Sequence, residues 1–278
     1  MEINIEKLKK VRWGYLLLGV VLLLFLGLIY AWSVFRAPLE KEFGWSKAQT
    51  SVTFSVSMMM FCLGGLAGGI LNGKKGYRFT LSCCAACLFI GFAAASRINS
   101  LMGIYLSYGV FCGFGVGLGY NTAISLTVRW FPDKQGFVSG VTLMGFGFGG
   151  MLLGTLGAQL ITSLGWRVTF LIFAVVFAVI VMICTFLMRQ ADDRFVRAMA
   201  AGGGAMQAAY EELDWRHMLR RRNFWLCFIW AIILSAAGLA IINESTTYAS
   251  AFVGGDLTRA AALAGIVSIA NGVGRVLS

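Results

Sequence analysis

The sequence predicts an all-α polytopic membrane protein, because it is rich in apolar residues, poor in charge and divided into long apolar runs. Of its 278 residues, 59% are hydrophobic and 13% are charged, and the mean hydropathy is +0.79. A soluble domain has roughly a quarter of its residues charged, so this chain could not cover a water-facing surface. Helices are predicted rather than barrel strands because the runs are long and lack the ten-residue alternation of strands.

Eight segments are long enough to cross a bilayer core of about 30 Å. We number them spans 1–8 and place them near 14–35, 50–71, 79–96, 101–128, 137–162, 166–188, 224–252 and 259–278. The first six form a predicted N-terminal bundle over residues 1–188, and spans 7 and 8 begin a second bundle over 223–278. This layout is typical of transporters with two six-helix halves, so we expect the sequence to be a fragment of a protein with about twelve spans.

The segment 189–222 between the bundles contains three consecutive glycines and seven arginines, which predicts a flexible cytoplasmic linker. Its end, 213–219, is predicted to be a short interfacial helix. Sixteen Lys and Arg residues lie in the N-terminal tail and connections 2–3, 4–5 and 6–7, against six on the opposite side. Cytoplasmic loops carry the excess of basic residues, so we expect a multi-pass protein of the plasma (inner) membrane with a cytoplasmic N-terminus.

The composition also excludes several function classes. The net charge of +11 would suggest nucleic acid in a soluble protein, but here the basic residues lie between apolar runs, so no nucleic-acid partner is expected. All seven cysteines lie inside apolar runs, which argues against disulfides or a zinc site. No cluster of His and Glu lies in any span, so we expect neither a metal, nor a cofactor, nor an enzyme.

Glycines are concentrated in spans 4 and 5. Gly109, Gly113 and Gly117, and then Gly150 and Gly154, are each four residues apart, a spacing that indicates close contact between membrane helices. The run 145–150 formally fits the dinucleotide pattern G-x-G-x-x-G. That pattern needs a preceding strand and an open helix N-terminus, which a membrane span does not offer, so packing is favoured.

Connection 2–3 reads GILNGKKGYR over residues 69–78. It resembles the loop between the second and third spans of the major facilitator superfamily, whose pattern is G-x-L-x-D-[RK]-x-G-[RK]-[RK]. Gly73 stands where the family usually has Asp, so the loop departs from the family's charge relay at that position. A plain basic turn is the alternative. The matching residues that we expect to form a cytoplasmic gating loop are Gly69, Lys74, Gly76 and Arg78.

Five stretches together resemble a narrower group, the oxalate/formate antiporter family, a branch of this superfamily akin to the monocarboxylate transporters. They occur in order along the whole chain: 27–35 (GLIYAWSVF), 44–46 (GWS), 117–122 (GLGYNT), 129–133 (RWFPD) and 271–275 (NGVGR). The resemblance implies the twelve-helix major facilitator fold, alternating access and a small organic anion as substrate. A counter-anion would be exchanged for it, or a proton carried with it. The expected surroundings are the lipid bilayer, and the expected state is a monomer.

The resemblance also implies site residues. The substrate cavity of the family uses aromatic groups from span 1, a tyrosine from span 4 and an arginine from span 8. The matching residues here are Tyr30, Trp32, Tyr120 and Arg275. Aromatic residues near span ends can instead form an interfacial belt, and an arginine near a span end can reach the headgroups as an anchor.

Glu244 is the only acid within spans 1–7. A carboxylate in the membrane is expected to face a cavity, pair with a base or be protonated, so Glu244 is a possible coupling residue. The alternative is a hydrated position near the outer end of span 7. For the whole protein, the alternative to a carrier is a membrane sensor or regulator that keeps the transporter fold without transport.

Overall fold

A computed structural model describes residues 5–202 and 215–277, and outside short turns these residues are helical. A 3₁₀ turn, Gly27–Ala31, joins α1 to α2, and a π-helical stretch, Tyr105–Cys112, joins α4 to α5. The predicted all-α fold is confirmed for this part of the chain. The helices in chain order are α1 Ile5–Leu26, α2 Trp32–Phe43, α3 Lys47–Ala95, α4 Leu101–Ile104, α5 Gly113–Val128, α6 Gln135–Leu164, α7 Trp166–Leu187, α8 Asp193–Gly202, α9 Trp215–Arg220, α10 Arg222–Phe252 and α11 Leu257–Leu277.

The described residues contain the eight predicted spans except for Ser278, the last residue of span 8, and they form seven continuous helical stretches long and apolar enough to cross a membrane. One of the seven, α3, has 49 residues. A straight helix of that length would measure about 74 Å, more than twice the thickness of a bilayer core. Gly76 interrupts α3 with the non-helical angles φ 80° and ψ 166°. Span 2 therefore lies before Gly76 and span 3 after it.

Span 1 is longer than its predicted range, because helix continues to the end of α2. Arg36 and Glu40 lie one helical turn apart and form an ion pair of 3.2 Å, which supports the additional turns. The helix ends at Gly44, whose φ of 68° lies in the left-handed region that glycine adopts without strain. Ser46 then caps α3 through its hydroxyl. Connection 1–2 is thus a tight turn rather than a loop.

The predicted glycine contacts in span 4 are confirmed, and their partner is span 2. Gly109, Gly113 and Gly117 face successive turns of α3. A Cβ atom added at Gly113 would lie 2.5 Å from the carbonyl oxygen of Ser57, and one at Gly117 would lie 2.2 Å from that of Phe61. No side chain fits at such distances, so glycine is what allows the two backbones to touch.

The glycines of span 5 contact both halves of the molecule. A Cβ atom at Gly150 would lie 2.7 Å from the hydroxyl oxygen of Ser268 in span 8, and one at Gly154 would lie 3.1 Å from the Cβ of Ala31 in span 1. The predicted packing role of Gly150 and Gly154 is therefore confirmed. The contact at Gly150 also attaches span 8 to the first six spans.

The connections meet at two opposite ends of the bundle. At one end, here called the linker end, Arg12 near the start of α1 pairs with Asp133 of connection 4–5 at 2.7 Å. At the other, the far end, Arg167 at the start of span 6 pairs with Glu42 at 3.2 Å and donates to the Asn99 side chain at 3.1 Å. Successive connections therefore lie at alternate ends of the bundle, as the predicted span order requires. Which end faces the cytoplasm stays a prediction.

The expectation of a flexible linker is wrong for residues 193–202, which form helix α8. Phe195 of this helix is fully buried, and its ring centroid lies 5.6 Å from that of Trp130. The helix is ordered because one of its faces is apolar and covers the linker end of spans 1 and 4. The short helix expected near 213–219 is present as α9, and residues 203–214 lie outside the described part of the chain.

Candidate functional site

A cavity of about 460 Å³ lies between two groups of spans, spans 1–6 on one side and spans 7 and 8 on the other. Its volume falls in the range of small-molecule sites, roughly 300–1,000 Å³. Spans 1, 2 and 4 form one wall, and spans 7 and 8 form the other. The lining residues are Tyr30, Met58, Phe61, Cys62, Tyr120, Leu234, Ser235, Gly238, Leu239, Ile242 and Asn271.

Aromatic rings build the wall that spans 1, 2 and 4 contribute. The ring of Phe146 lies edge-on to Tyr30 at 5.0 Å and to Tyr120 at 4.9 Å, measured between centroids. Phe61 packs against Tyr120 in the same manner at 5.1 Å. Such edge-to-face contacts fix ring orientation, so the two tyrosines are held at the cavity by their neighbours.

The backbone of span 1 explains why Tyr30 reaches the cavity. Tyr30 lies in the 3₁₀ turn, where the α-helix of span 1 is interrupted. Beside this turn, a Cβ atom at Gly27 would lie 2.0 Å from the carbonyl oxygen of Phe146, and one at Gly149 would lie 2.0 Å from that of Leu24. Spans 1 and 5 therefore cross in backbone contact, which brings Tyr30 and Phe146 together.

Of the four residues implied by the family resemblance, Tyr30 and Tyr120 line the cavity, and Trp32 does not. Trp32 is fully buried inside the first bundle. Its indole nitrogen donates to the carbonyl oxygen of Thr50 at 3.0 Å, and its ring lies 4.6 Å from that of Tyr108. These contacts give Trp32 a packing role between spans 1, 2 and 4.

The fourth residue, Arg275, belongs to α11, but its side chain lies outside the described residues. Asn271 occurs one helical turn earlier and lines the cavity from span 8. Between them, Gly272 is buried against span 5, where a Cβ atom would lie 3.2 Å from the carbonyl oxygen of Met144. Span 8 therefore contacts span 5 through Gly272 and reaches the cavity through Asn271.

At the far end, spans 1 and 7 are joined by a half-buried ion pair that the sequence alone does not reveal. Arg36 of span 1, only 1% exposed, binds both oxygens of Glu244 in span 7, through Nη1 at 2.7 Å and Nη2 at 3.0 Å. The Arg36 Nη1 also donates to the Ser51 hydroxyl at 2.9 Å, and Ser33 shares a hydrogen bond of 2.8 Å with Thr246. By sequence, Arg36 is one of the six basic residues on the side opposite the linker. Its position directly after an apolar run was the available signal.

Glu244 therefore pairs with a base, one of the arrangements expected for a carboxylate in the membrane. Its side chain remains 33% exposed, so one side of the ion pair is open. Asn243 donates to its Oε1 at 3.1 Å and to Ser51 at 3.2 Å, which links spans 2 and 7. The far end of the interface between the halves is thus closed by polar contacts.

The residues expected to form a gating loop lie around the break in α3. Gly76 supplies the break itself, since its φ of 80° would strain any other residue. Lys74 is exposed, and Arg78 donates to the Tyr77 hydroxyl at 3.2 Å. That hydroxyl donates to a carbonyl oxygen at the end of α7 at 2.9 Å, which ties span 3 to span 6. Gly69 lies within the helix, and a Cβ atom there would meet nothing within 4 Å.

The cavity lining offers groups that can bind a small molecule. The described lining offers two phenols, one amide, one hydroxyl, one thiol and apolar surface. Among the described residues, no three His, Cys, Asp or Glu side chains come together as a metal site would require. The arrangement suits a small molecule with an apolar part and a polar end.

Comparison with known proteins places the chain in a family. The model of the Major Facilitator Superfamily matches residues 11–278. The chain is 24% identical over 269 residues to the uncharacterized MFS-type transporter YhjX of Escherichia coli (strain K12), covering 97% of this chain and 65% of that protein. It is 27% identical over 240 residues to the oxalate:formate antiporter of Oxalobacter formigenes, covering 85% of this chain and 55% of that protein. The human monocarboxylate transporter 6 matches at 28% over 144 residues, covering 52% and 28%.

The chain thus spans less than two thirds of the length of these curated relatives. Among solved structures, the crystal structure of a D-xylose-proton symporter superimposes with a TM-score of 0.61 at 17% identity, covering 92% of this chain and 66% of that one. The inward-open structure of the xylose transporter XylE from E. coli superimposes with a TM-score of 0.59 at 14% identity, covering 94% of this chain and 80% of that one. These structures share the helical arrangement. Since the family model also matches almost the whole sequence, the chain belongs to the Major Facilitator Superfamily.

Proposed function

We propose that the protein is a secondary transporter of small carboxylates that works by alternating access. The observation that carries the proposal is the aromatic and polar cavity between the two groups of spans. A site at such an interface can be exposed to either side when one bundle rocks against the other. The substrate class is supported by the resemblance to the oxalate/formate antiporter family and by two relatives named for oxalate and formate and for monocarboxylates.

In this proposal Arg275 binds the substrate carboxylate. Position 275 follows Asn271 by one turn, so both positions share the face of α11 that reaches the cavity. A guanidinium offers two parallel donors that match the two oxygens of a carboxylate, whereas a lysine ammonium does not. Tyr30 and Tyr120 would contact the remainder of the substrate with their rings and hydroxyls. Trp32 would support the site only by packing.

The test uses the full-length protein in proteoliposomes, with labelled oxalate, formate and lactate and an excess of unlabelled acid inside. Counterflow of label shows transport directly. Arg275→Lys should reduce the counterflow rate at least about 100-fold, on the scale of a lost bidentate charged contact of about 3 kcal/mol. Arg259→Lys is the matched control. Arg259 lies on the same helix, its side chain is 77% exposed, and its partner is Asp256 at 3.4 Å.

Near-normal counterflow in both Arg275→Lys and Arg275→Gln would overturn the assignment and leave Arg275 as a membrane anchor. Absence of counterflow in the wild-type protein, with binding of the acids retained, would favour the alternative of a sensor with the transporter fold. Tyr120→Phe provides an independent check on the cavity. It should raise the half-saturating concentration of the transported acid without changing the amount of protein in the membrane.

Two coupling modes are compatible with this mechanism, exchange for a counter-anion and symport with a proton. Glu244 is our candidate for the proton site, because it lies in span 7 at the interface between the halves. For a symporter, Glu244→Gln should abolish the pH dependence of net uptake while exchange continues. An unchanged pH dependence would remove Glu244 from the coupling mechanism and support anion exchange.

The proposed location is the plasma (inner) membrane, with the linker end in the cytoplasm. The distribution of Lys and Arg supports this orientation, since the linker end carries the larger number of basic residues. A monomer is the proposed state.

A further inference from the structure

The carboxylate of Glu244 occupies a position that a free carboxylate could also take. Both of its oxygens bind the Arg36 guanidinium, at 2.7 and 3.0 Å, in the forked geometry with which arginine binds small acids. The Nε of Arg36 is bound separately by Glu40 at 3.2 Å, within the same span. One edge of the guanidinium is thus held by its own helix, and the other faces the opposite bundle.

A cavity of about 460 Å³ at the far end leads to this ion pair. Arg36, Lys41 and Lys47 line it together with the hydroxyls of Thr247 and Ser250. Three of the six basic residues predicted for the far side of the membrane are therefore collected at one place. The carboxylate of Glu40 also lines this cavity, so the lining carries three positive charges and one negative charge. A cavity with a net positive charge concentrates anions from solution.

Movement of span 7 away from span 1 would break the contact between Glu244 and Arg36. Ser51 belongs to the first bundle and would stay with Arg36, whereas Thr247, which also accepts from Nη2, would leave with Glu244. The guanidinium, whose side chain is only 1% exposed, would then keep the Ser51 hydroxyl on Nη1 but lose the carboxylate that binds its forked edge, which is unfavourable for a buried charge. A carboxylate from solution would restore the lost contacts.

We propose that Glu244 is a tethered substitute for the substrate carboxylate, and that an incoming acid displaces it from Arg36 when the far end opens. This inference rests on the proposed function and adds to it a second carboxylate site, at the far mouth of the pathway and separate from Arg275. The site takes small mono- or dicarboxylates. Opening at this end then depends on an available acid, since the acid replaces the contact that opening breaks.

The first test measures the half-saturating concentration of labelled acid at each face of proteoliposomes that contain the full-length protein. Glu244→Gln removes the charged competitor, so the value at the far face should fall about fivefold or more, with the value at the linker face less affected. A simple latch would also give this fall, because weakening the closed state favours opening. The double variant Arg36→Gln/Glu244→Gln separates the two explanations.

If Arg36 binds the acid, the double variant should lose the increase in apparent affinity that Glu244→Gln produces. Its half-saturating concentration at the far face should be about tenfold above that of Glu244→Gln. If the pair is only a latch, the double variant should keep the low value, and the proposal is overturned. Arg259→Gln is the control. It removes a charge from the same end but outside the cavity, where Arg259 pairs with Asp256, and should leave both values unchanged.

A second readout does not depend on transport. Ala37 lines the far-end cavity and is exposed, so an Ala37→Cys variant can be labelled there with an impermeant maleimide, with the parent protein as the blank. Oxalate or lactate should change the labelling rate with a saturable dependence that Arg36→Gln abolishes. Such a response in a protein without counterflow would overturn the proposed function alone. Counterflow with no acid-dependent change in labelling would overturn the capture site alone.

Discussion

The contact between spans 2 and 4 allows a quantitative prediction for Gly117→Ala. The added Cβ atom would lie 2.2 Å from the carbonyl oxygen of Phe61 and 2.7 Å from the backbone nitrogen of Gly65. To reach a separation of 3.0 Å, the shortest that real Cβ atoms show, the helices must move apart by roughly 0.8 Å. The obstructing atoms belong to the backbone, so no side-chain rotation can relieve the contact.

Overpacking of this kind costs about 1–3 kcal/mol, and the upper part of that range applies because a whole helix must shift. Alanine gains about 0.5–1 kcal/mol over glycine within a helix, which offsets part of the cost. The net expectation for Gly117→Ala is a loss of about 2 kcal/mol in the free energy of unfolding. The matched control is Gly69→Ala in α3, where a Cβ atom meets nothing within 4 Å, and it should be neutral or stabilising by up to about 1 kcal/mol.

The assay is reversible unfolding in mixed micelles by titration with a denaturing detergent, followed by tryptophan fluorescence and helical circular dichroism. The two variants should differ by about 2–3 kcal/mol, with Gly117→Ala the less stable. Equal stabilities of Gly117→Ala and Gly69→Ala would refute the reasoning, because the two variants gain the same helix propensity and differ only in the contact. Gly117→Ser should be at least as destabilising as Gly117→Ala.

Three further predictions concern the two ends of the bundle and the packing of span 1. Asp133→Asn should lower the free energy of unfolding by about 3 kcal/mol, since it leaves the guanidinium of Arg12 buried without its charged partner. A double-mutant cycle of the two residues should return a positive coupling energy. Single cysteines at Ser100 and Gly73 should label from opposite faces of intact cells, with Gly73→Cys reached only from the cytoplasm, and labelling of both from one face would contradict the span order. Trp32→Phe should lower the free energy of unfolding by about 1 kcal/mol, because the hydrogen bond of the indole nitrogen is lost. The half-saturating substrate concentration should stay within about twofold of the wild-type value. A larger change would show that Trp32 contributes to substrate binding.

The sequence by itself determined the number of spans, their order and the faces through which several of them touch. Each span is encoded in about 20 consecutive apolar residues, so its existence depends on local composition alone. The glycine spacing in span 4 likewise predicted a contact surface, because residues four apart share a helix face. The family could also be predicted, since its motifs are short stretches of adjacent residues matched in order.

Only the tertiary structure decided which residues meet across the molecule. Arg36 and Glu244 are separated by 208 positions, and nothing local to either one specifies the other as its partner. Trp32 and Tyr30 are two residues apart in one aromatic run, so their side chains leave the helix in roughly opposite directions. The packing of span 1 against its neighbours decides that Tyr30 lines the cavity and Trp32 is buried in the first bundle. Hydropathy fixes how deep a residue lies in the membrane, whereas the rotation of each helix against its neighbours decides whether that residue faces lipid, protein or the cavity.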